Sequence, residues 1–194
     1  MKLPTAAKFP FHFDVVHLKA DLEKVNQELW ISHYQTNDFN GEWDAVALRS
    51  VCGHPGIIYA VPSFDSADFY QNTPILEECT YFKAVLRSFK CQINAVRLLS
   101  LGPGAEILEH TDDMGSADQM EMRIHIPIQT NPDVLFYLNN MLVEMKEGEV
   151  WYGDFSLPHR VENNSKKARV HMVLDCVVND WLKRQIASGH TVIH

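Results

Sequence analysis

Two histidines and one aspartate in the second half of the chain have the residue types and spacing of a metal site. His110 and Asp112 are separated by one residue, and His159 follows several predicted strands later. Two imidazoles and one carboxylate on one side of an ion are typical of mononuclear non-haem Fe(II) sites, which leave other coordination positions open. Alternate residues of an extended segment project to the same side, so one strand end can supply both His110 and Asp112. The pattern therefore predicts an oxygenase site at His110, Asp112 and His159.

Arg169 adds a cation to this candidate site, ten residues after His159. A 2-oxo dicarboxylic acid can take two open positions on the iron and leave a third for O2. Its far carboxylate then needs a charge-assisted partner, and arginine binds carboxylates through paired N–H donors. We therefore expect Arg169 to anchor 2-oxoglutarate. The expected chemistry is oxidative decarboxylation to succinate and CO2, coupled to hydroxylation of an unactivated C–H bond.

The motif Arg-x-His occurs on two predicted strands, first as Arg123 and His125 and again as Arg169 and His171. Side chains alternate between the two faces of a strand, and both motifs have aliphatic residues on the opposite face. A solvated outer face is the ordinary explanation for one such strand. Two strands with the same cationic pattern favour a polar cavity lined by these four side chains.

The elements that must position these residues are predicted by the apolar pattern. Short strand-like segments separated by Gly, Pro, Asn and Asp fill residues 91–177, which indicates an antiparallel sandwich or barrel. Helical spacing of apolar residues covers 17–30 and 75–89, a short strand is predicted at 44–50, and "DWLKRQIA" predicts a closing helix. We expect one α+β, mainly β, domain over residues 1–194. It comprises a helical and loop part to residue 90, a β core over 91–177, and a C-terminal helix and tail over 178–194.

Composition limits the kinds of partner. The hydrophobic fraction of 46% and charged fraction of 22% are typical of a globular protein. A net charge of −8 and the lack of a Lys/Arg-rich patch argue against nucleic acid. Neither a signal peptide nor a run of ~20 apolar residues is found, so no membrane association is expected. Four scattered cysteines without a CxxC pair are typical of a reduced, cytoplasmic protein.

At these residues the sequence resembles the aspartyl/asparaginyl β-hydroxylase family of Fe(II)/2-oxoglutarate-dependent dioxygenases. The resemblance covers about residues 96–175 and rests on "LGPGAEILEHTD", "MRIHIPI", "GEVWYGDFSLPHRVENNS" and "ARVHMVLD". It implies a double-stranded β-helix (jelly roll) core that is preceded and flanked by helices. It also implies that His110 and His159 bind iron and that Arg169 binds the C5 carboxylate of 2-oxoglutarate. Arg123 and His125 match positions that help to hold the C1 end of this co-substrate.

One position differs from the animal protein β-hydroxylases, which have glycine two residues after the first iron histidine. This chain has Asp112 there and is closer to bacterial members similar to free L-proline cis-hydroxylases. The segment "FNGEWDAVALRS" resembles a pocket-forming segment of those enzymes, which makes Trp43 and Arg49 candidate substrate contacts. Arg97, on the strand before the Gly-Pro-Gly turn, is a further candidate for binding a substrate carboxylate. A serine that assists the co-substrate in the animal enzymes aligns with Leu99.

The expected substrate is an amino acid, free or within a peptide. One alternative is a cupin-like metal-dependent isomerase or sensor, and another is a non-catalytic jelly-roll binding module. Cupins commonly use a close His-x-His pair, and this chain has none. The remaining histidines are expected to be surface, capping or tail residues; they are His12, His17, His33, His54, His190 and His194.

Overall fold

A computed structural model describes residues 3–61, 69–112, 121–189 and 191–193 of the chain. The strands are β1 (Ala6–His12), β2 (Ile31–Ser32), β3 (Phe39–Asn40), β4 (Trp43–Val51), β5 (Tyr70–Asn72), β6 (Ile93–Leu101), β7 (Glu106–His110), β8 (Glu121–Gln129), β9 (Val134–Leu138), β10 (Met141–Leu142), β11 (Glu149–Gly153), β12 (His159–Asn163), β13 (Arg169–Val177) and β14 (Thr191–Ile193). The helices are α1 (Val15–Leu22), α2 (Pro74–Glu78), α3 (Thr80–Ser88) and α4 (Asp180–Ala187).

The strands form two antiparallel sheets. The larger sheet has the order β14-β1-β11-β8-β13-β6-β4-β2, with β5 paired to β4, and the smaller sheet has the order β10-β9-β12-β7-β3. Side chains from both sheets meet in one apolar cluster, which includes Leu99 and Val173 of the larger sheet and Ile107 and Phe136 of the smaller sheet. Two antiparallel sheets packed in this way form the expected jelly roll.

The larger sheet is buried on both faces. Along β8 and β13, alternate residues point either toward the helices or toward the smaller sheet. Ile124 of β8 and Met172 of β13 lie in a second apolar cluster, which also contains residues of α1, α3 and α4. Residues at the alternate positions project to the opposite face, toward the smaller sheet. Both Arg-x-His motifs therefore point between the sheets, where Arg123 is half-buried and the other three side chains are buried. Arg123, His125 and Arg169 line a cavity between the sheets, as expected, whereas His171 is buried but does not line it. The solvated-face interpretation is wrong.

The N-terminal part contains more strands than the apolar pattern predicted. The predicted strand at 44–50 is confirmed as β4, but residues 6–12 form β1 rather than a loop. Pro10 interrupts the strand pattern in the sequence, and it lies where the pairing of β1 with β11 shifts register, between Lys8 and His12. A proline without an N–H donor is tolerated at such an irregularity. The prediction of a helical and loop segment up to residue 90 is therefore wrong in its details.

The predicted helices are shorter than their apolar patterns. Helix α1 begins two residues before the predicted segment 17–30 and is followed within it by a short 3-10 turn, and the segment 75–89 is divided at Cys79 between α2 and α3. Helix α1 begins where the Asp14 side chain accepts a hydrogen bond from the backbone N–H of His17. Helix α4 confirms the closing helix, whereas the tail beyond it adds strand β14 to the edge of β1. Within the described ranges, none of the helices has the length and apolar character needed to cross a bilayer.

Candidate active site

The three predicted metal ligands meet at one end of the smaller sheet. His110 ends β7, His159 begins β12, and the two residues are paired across these antiparallel strands. Asp112 follows β7, and its backbone N–H donates to the carbonyl of Phe155 at 2.9 Å. One ligand atom from each of His110, Asp112 and His159 lies within 4.8 Å of the others. These three residues, called the metal trio below, are therefore close enough to bind one ion.

Backbone carbonyls orient both imidazoles of the metal trio. The Nδ1 atom of His110 lies 2.7 Å from the carbonyl oxygen of Leu108, and that of His159 lies 3.0 Å from that of Leu157. A carbonyl oxygen only accepts, so each Nδ1 carries the proton and each Nε2 is left with a free lone pair. The Nε2 atoms lie 3.9 and 4.0 Å from the carboxylate of Asp112. In this tautomer each imidazole can bind a metal ion through Nε2, next to the carboxylate of Asp112.

A buried chain of charges extends from the metal trio into the larger sheet. Arg123 donates to Asp112 through Nη1 and to Asp175 through Nε, the latter at 2.8 Å. Arg97 also donates to Asp175, and it donates to the carbonyl of Ala60 at 3.0 Å. Burial alone would raise the pKa of Asp175, but the guanidiniums of Arg123 and Arg97 outweigh it and hold that pKa below its usual value. Asp175 is thus ionised and holds both arginines.

Asp175 was not predicted as a site residue, although a signal for it exists in the sequence. It lies on the same face of β13 as Arg169 and His171, two alternate positions further along the strand. A lone aspartate at the end of an apolar strand also fits a capping or turn role. Only the pairing of β13 with β6 and β8 brings it between two guanidiniums.

Replacing Asp175 by asparagine is expected to lower the free energy of unfolding by about 3–5 kcal/mol, because it leaves two buried guanidiniums without their shared partner. Urea unfolding at neutral pH measures the change. Glu121→Gln is the matched control, since Glu121 is also buried but bonds to the amide of Asn94 rather than to an arginine. Equal losses in the two variants would contradict the expected role of the ion pairs.

Arg169 is buried, and no carboxylate in the described part of the chain pairs with it. Its side chain is among the largest fully buried ones, and its residue exposure is 1%. Within the described residues, its guanidinium makes one hydrogen bond, from Nη2 to Nδ1 of His171 at 2.8 Å, and it lies 5.6 Å from the Phe136 ring. Burial lowers the pKa of Arg169 to about 9, which leaves it cationic at neutral pH. A buried cation of this kind is costly unless an anionic ligand pairs with it.

A cavity of about 420 Å³ opens between the sheets and joins these groups. Its polar lining residues are His33, Gln35, Arg97, His110, Asp112, Arg123, His125, His159 and Arg169, and its aromatic ones are Tyr34, Trp43, Phe136 and Phe155. Three buried polar atoms on these lining residues have no hydrogen-bond partner in the described structure: Trp43 Nε1, His125 Nε2 and Arg169 Nε. Buried polar groups normally have partners, so unpaired ones around a cavity indicate a polar ligand.

Two of the three predicted substrate contacts line the cavity, and the third does not. Trp43 and Arg97 line the cavity, as does Leu99. Arg49 does not, because its Nε donates to the carbonyl of Ile93 and its Nη1 to the side chain of Asn72. It lines a separate pocket beside α3. The prediction that Arg49 contacts the substrate from this cavity is therefore not supported by its position.

His33 was expected on the surface, and this prediction is wrong. It is 5% exposed and stacks on Trp43 with ring centroids 3.6 Å apart, while Tyr34 stacks at 4.7 Å. Burial, and then the charge of Arg97, lower the pKa of His33 to about 3. The neutral imidazole therefore forms one aromatic wall of the cavity. Of the other histidines with this expectation, His12, His17 and His54 are exposed, and His190 and His194 lie outside the described residues.

The buried histidines predict a steep loss of stability in acid for the metal-free protein. Burial lowers the pKa of His159 to about 4 and those of His125 and His171 well below the usual value, in addition to that of His33. Below pH 6.5 the unfolded chain takes up protons that the folded chain does not, so stability is lost as pH falls. Four such groups correspond to about 5 kcal/mol per pH unit. Urea unfolding between pH 7.5 and 5 measures how the free energy of unfolding depends on pH. The variant His33→Phe should show a slope about a quarter smaller. A free energy of unfolding that does not change with pH would contradict the prediction.

Comparison with known proteins agrees with this geometry. Residues 13–178 match the family model described as Aspartyl/Asparaginyl beta-hydroxylase. The chain is 27% identical over 166 residues to the L-proline cis-4-hydroxylase of Rhizobium meliloti (strain 1021). This alignment covers 84% of the chain and 57% of the relative, so the chain spans little more than half the length of that protein.

Solved structures share the fold at low sequence identity. The non-heme alpha ketoglutarate dependent carbocyclase SnoK from nogalamycin biosynthesis superimposes with a TM-score of 0.56 at 12% identity, covering 98% of this chain and 90% of that one. A 2OG-Fe(II) oxygenase family oxidoreductase from Burkholderia pseudomallei gives a TM-score of 0.54 at 12% identity, with coverages of 89% and 85%. The jelly-roll architecture is thus common to all three chains.

Proposed function

Because the chain belongs to the aspartyl/asparaginyl β-hydroxylase family, we propose that it is an Fe(II)- and 2-oxoglutarate-dependent dioxygenase that hydroxylates an amino acid, free or within a peptide. One observation supports this function above the others. The metal trio, with its ligand atoms within 4.8 Å of one another, shares a cavity with a fully buried arginine that has no carboxylate partner among the described residues. A cation site beside a guanidinium with free donors is the arrangement that a metal-chelating dicarboxylate requires.

The donor set fits Fe(II). His110 and His159 offer lone pairs on Nε2, and Asp112 offers a carboxylate that Arg123 holds in place. Two imidazoles and one carboxylate are the usual protein ligands of non-haem Fe(II) oxygenases. When bound, the metal with 2-oxoglutarate and O2 supplies the oxidising chemistry that the side chains lack. The protein positions the co-substrate and the substrate next to the metal site and limits the access of bulk water to the cavity.

The polar side chains divide the cavity between co-substrate and substrate. Arg169 is the anchor for the C5 carboxylate of 2-oxoglutarate, since its unpaired Nε and its charge need an anion. Arg123, which donates to Asp112, and His125 on the same strand both line the cavity and are the proposed contacts for the C1 end. Trp43 and Arg97 line the remaining part, as expected for an amino-acid substrate with an apolar body and a carboxylate.

The proposed partners are small molecules. The net charge of −8 does not favour nucleic acid, and the cationic groups of the site lie inside the fold. The four cysteines are free, which fits the expected reducing cytoplasmic environment. The relative named above is a proline cis-4-hydroxylase, so L-proline is the first amino acid to test, followed by aspartate, asparagine and short peptides.

The test is a screen of amino acids for stimulated succinate formation by the iron-loaded protein. We expect at least one amino acid to raise succinate formation in a manner that requires both Fe(II) and 2-oxoglutarate. Mass spectrometry of the same reaction should show the substrate gaining one oxygen atom. A protein that binds neither Fe(II) nor 2-oxoglutarate would contradict the proposal and favour a binding module.

A further inference from the structure

His171 holds Arg169 from outside the cavity. It is 2% exposed, and it is not among the residues that line the cavity. Its Nδ1 atom lies 2.8 Å from Nη2 of Arg169, which is the one hydrogen bond of this guanidinium within the described residues. A guanidinium is a rigid plane with five donors, so fixing one N–H direction restricts where the other four point. His171 thereby determines the direction of the donors that remain for a ligand.

The direction of this hydrogen bond fixes the tautomers of two histidines. Arginine can only donate, so Nδ1 of His171 accepts and the ring carries its proton on Nε2. The Nδ1 atom of His125 lies 3.3 Å from the same nitrogen of His171. Two unprotonated nitrogens would repel at this distance, so His125 donates from Nδ1 and leaves its Nε2 unprotonated. That Nε2 is buried and has no partner among the described residues, and it can donate to a carboxylate only when the ring takes up a second proton.

We propose that His171 is a positioning residue for the co-substrate: one acceptor atom orients the guanidinium of Arg169 and the ring of His125 together. The proposal rests on the proposed role of Arg169 as the anchor for 2-oxoglutarate. It explains why a buried histidine lies on β13, two residues after this arginine, although His171 contributes no side chain to the cavity lining.

Three variants separate positioning from packing. His171→Leu removes the acceptor at similar volume, His171→Gln keeps an amide oxygen that can accept from Arg169, and Met172→Leu is the matched control on the opposite face of β13. We expect His171→Leu to raise KM for 2-oxoglutarate about tenfold or more while kcat changes much less, because it loses a hydrogen bond to a charged donor. His171→Gln should stay within about threefold of wild type, and Met172→Leu should match wild type. The affinities for 2-oxoglutarate, measured by calorimetry on the iron-loaded proteins without O2, should rank the variants in the same order.

The tautomers provide a test that needs no variant and no ligand. Nitrogen NMR of the metal-free wild-type protein distinguishes a protonated Nδ1 from a protonated Nε2, and we expect the Nε2–H form of His171 with the Nδ1–H form of His125. An Nδ1–H form of His171 would overturn the proposal, because that atom could not accept from Arg169. The proposal is also overturned if folded His171→Leu keeps wild-type affinity for 2-oxoglutarate, or if His171→Gln is impaired equally. Failure of the proposed function appears differently, as a wild-type protein that does not bind 2-oxoglutarate or that no amino acid stimulates.

Discussion

Replacing Asp112 by alanine is expected to abolish substrate-stimulated succinate formation and to weaken Fe(II) binding by more than about 100-fold. Losing even an outer-shell partner of a metal ligand typically costs 10–100-fold in metal affinity or activity, so losing a ligand costs more. Asp112 also accepts from Arg123, so its removal takes away one of the two carboxylates that this guanidinium contacts in the described structure. Fe(II) titration without O2, followed by a turnover assay at saturating iron, measures both effects.

The matched control for this variant is Glu109→Ala. Glu109 is another acidic residue near the end of the same strand, but it is exposed and lies 3.8 Å from Arg160 rather than in the metal trio. We expect it to bind Fe(II) and to turn over as the wild type does. Full turnover by folded Asp112→Ala would contradict the proposed role of Asp112 as a metal ligand.

The metal trio could be predicted from the sequence because its signal is local. His110 and Asp112 are two residues apart at a strand end, so strand geometry alone places them on one side. His159 required the additional expectation that several strands return to the same edge, and the pairing of β12 with β7 confirms this. The alternation of polar and aliphatic residues on β8 and β13 could be predicted equally well, because successive side chains of a strand point to opposite faces.

The residues that sequence reasoning misplaced depend on contacts between distant segments. His33 lies in a short loop whose sequence resembles an exposed turn, and it is buried because Trp43 stacks on it. Arg49 lies on the same strand as Trp43, an even number of positions away, yet the register of β4 against β6 shifts between Ala47 and Arg49. Such irregularities change which side chains reach the cavity, and nothing in a single sequence marks them clearly. A prediction of β4 without this irregularity therefore assigns Trp43 to the cavity correctly and Arg49 incorrectly.

The second large effect is expected for Arg169→Ala, which should raise KM for 2-oxoglutarate by about 100-fold or more and leave Fe(II) affinity within about threefold of wild type. Truncating one partner of a buried, hydrogen-bonded charge pair typically costs 2–5 kcal/mol, which corresponds to factors of about 30 to several thousand. The two histidines of the metal trio keep their contacts with the carbonyl oxygens of Leu108 and Leu157, and Asp112 keeps its contact with Arg123, so we expect the Fe(II) affinity to be spared. Calorimetry of Fe(II) and 2-oxoglutarate binding without O2 separates the two.

Arg169→Lys distinguishes the charge of this residue from its geometry. A lysine keeps one positive charge but offers no planar pair of donors, and its compact ammonium loses more solvation in a buried site. Because Arg169 has no carboxylate neighbour among the described residues, an anchoring role requires the ligand itself to supply the anion. We therefore expect Arg169→Lys to bind 2-oxoglutarate about tenfold or more weaker than wild type and tighter than Arg169→Ala. Unchanged 2-oxoglutarate affinity in both variants would show that the dicarboxylate binds elsewhere, and the buried guanidinium would then need a different anion.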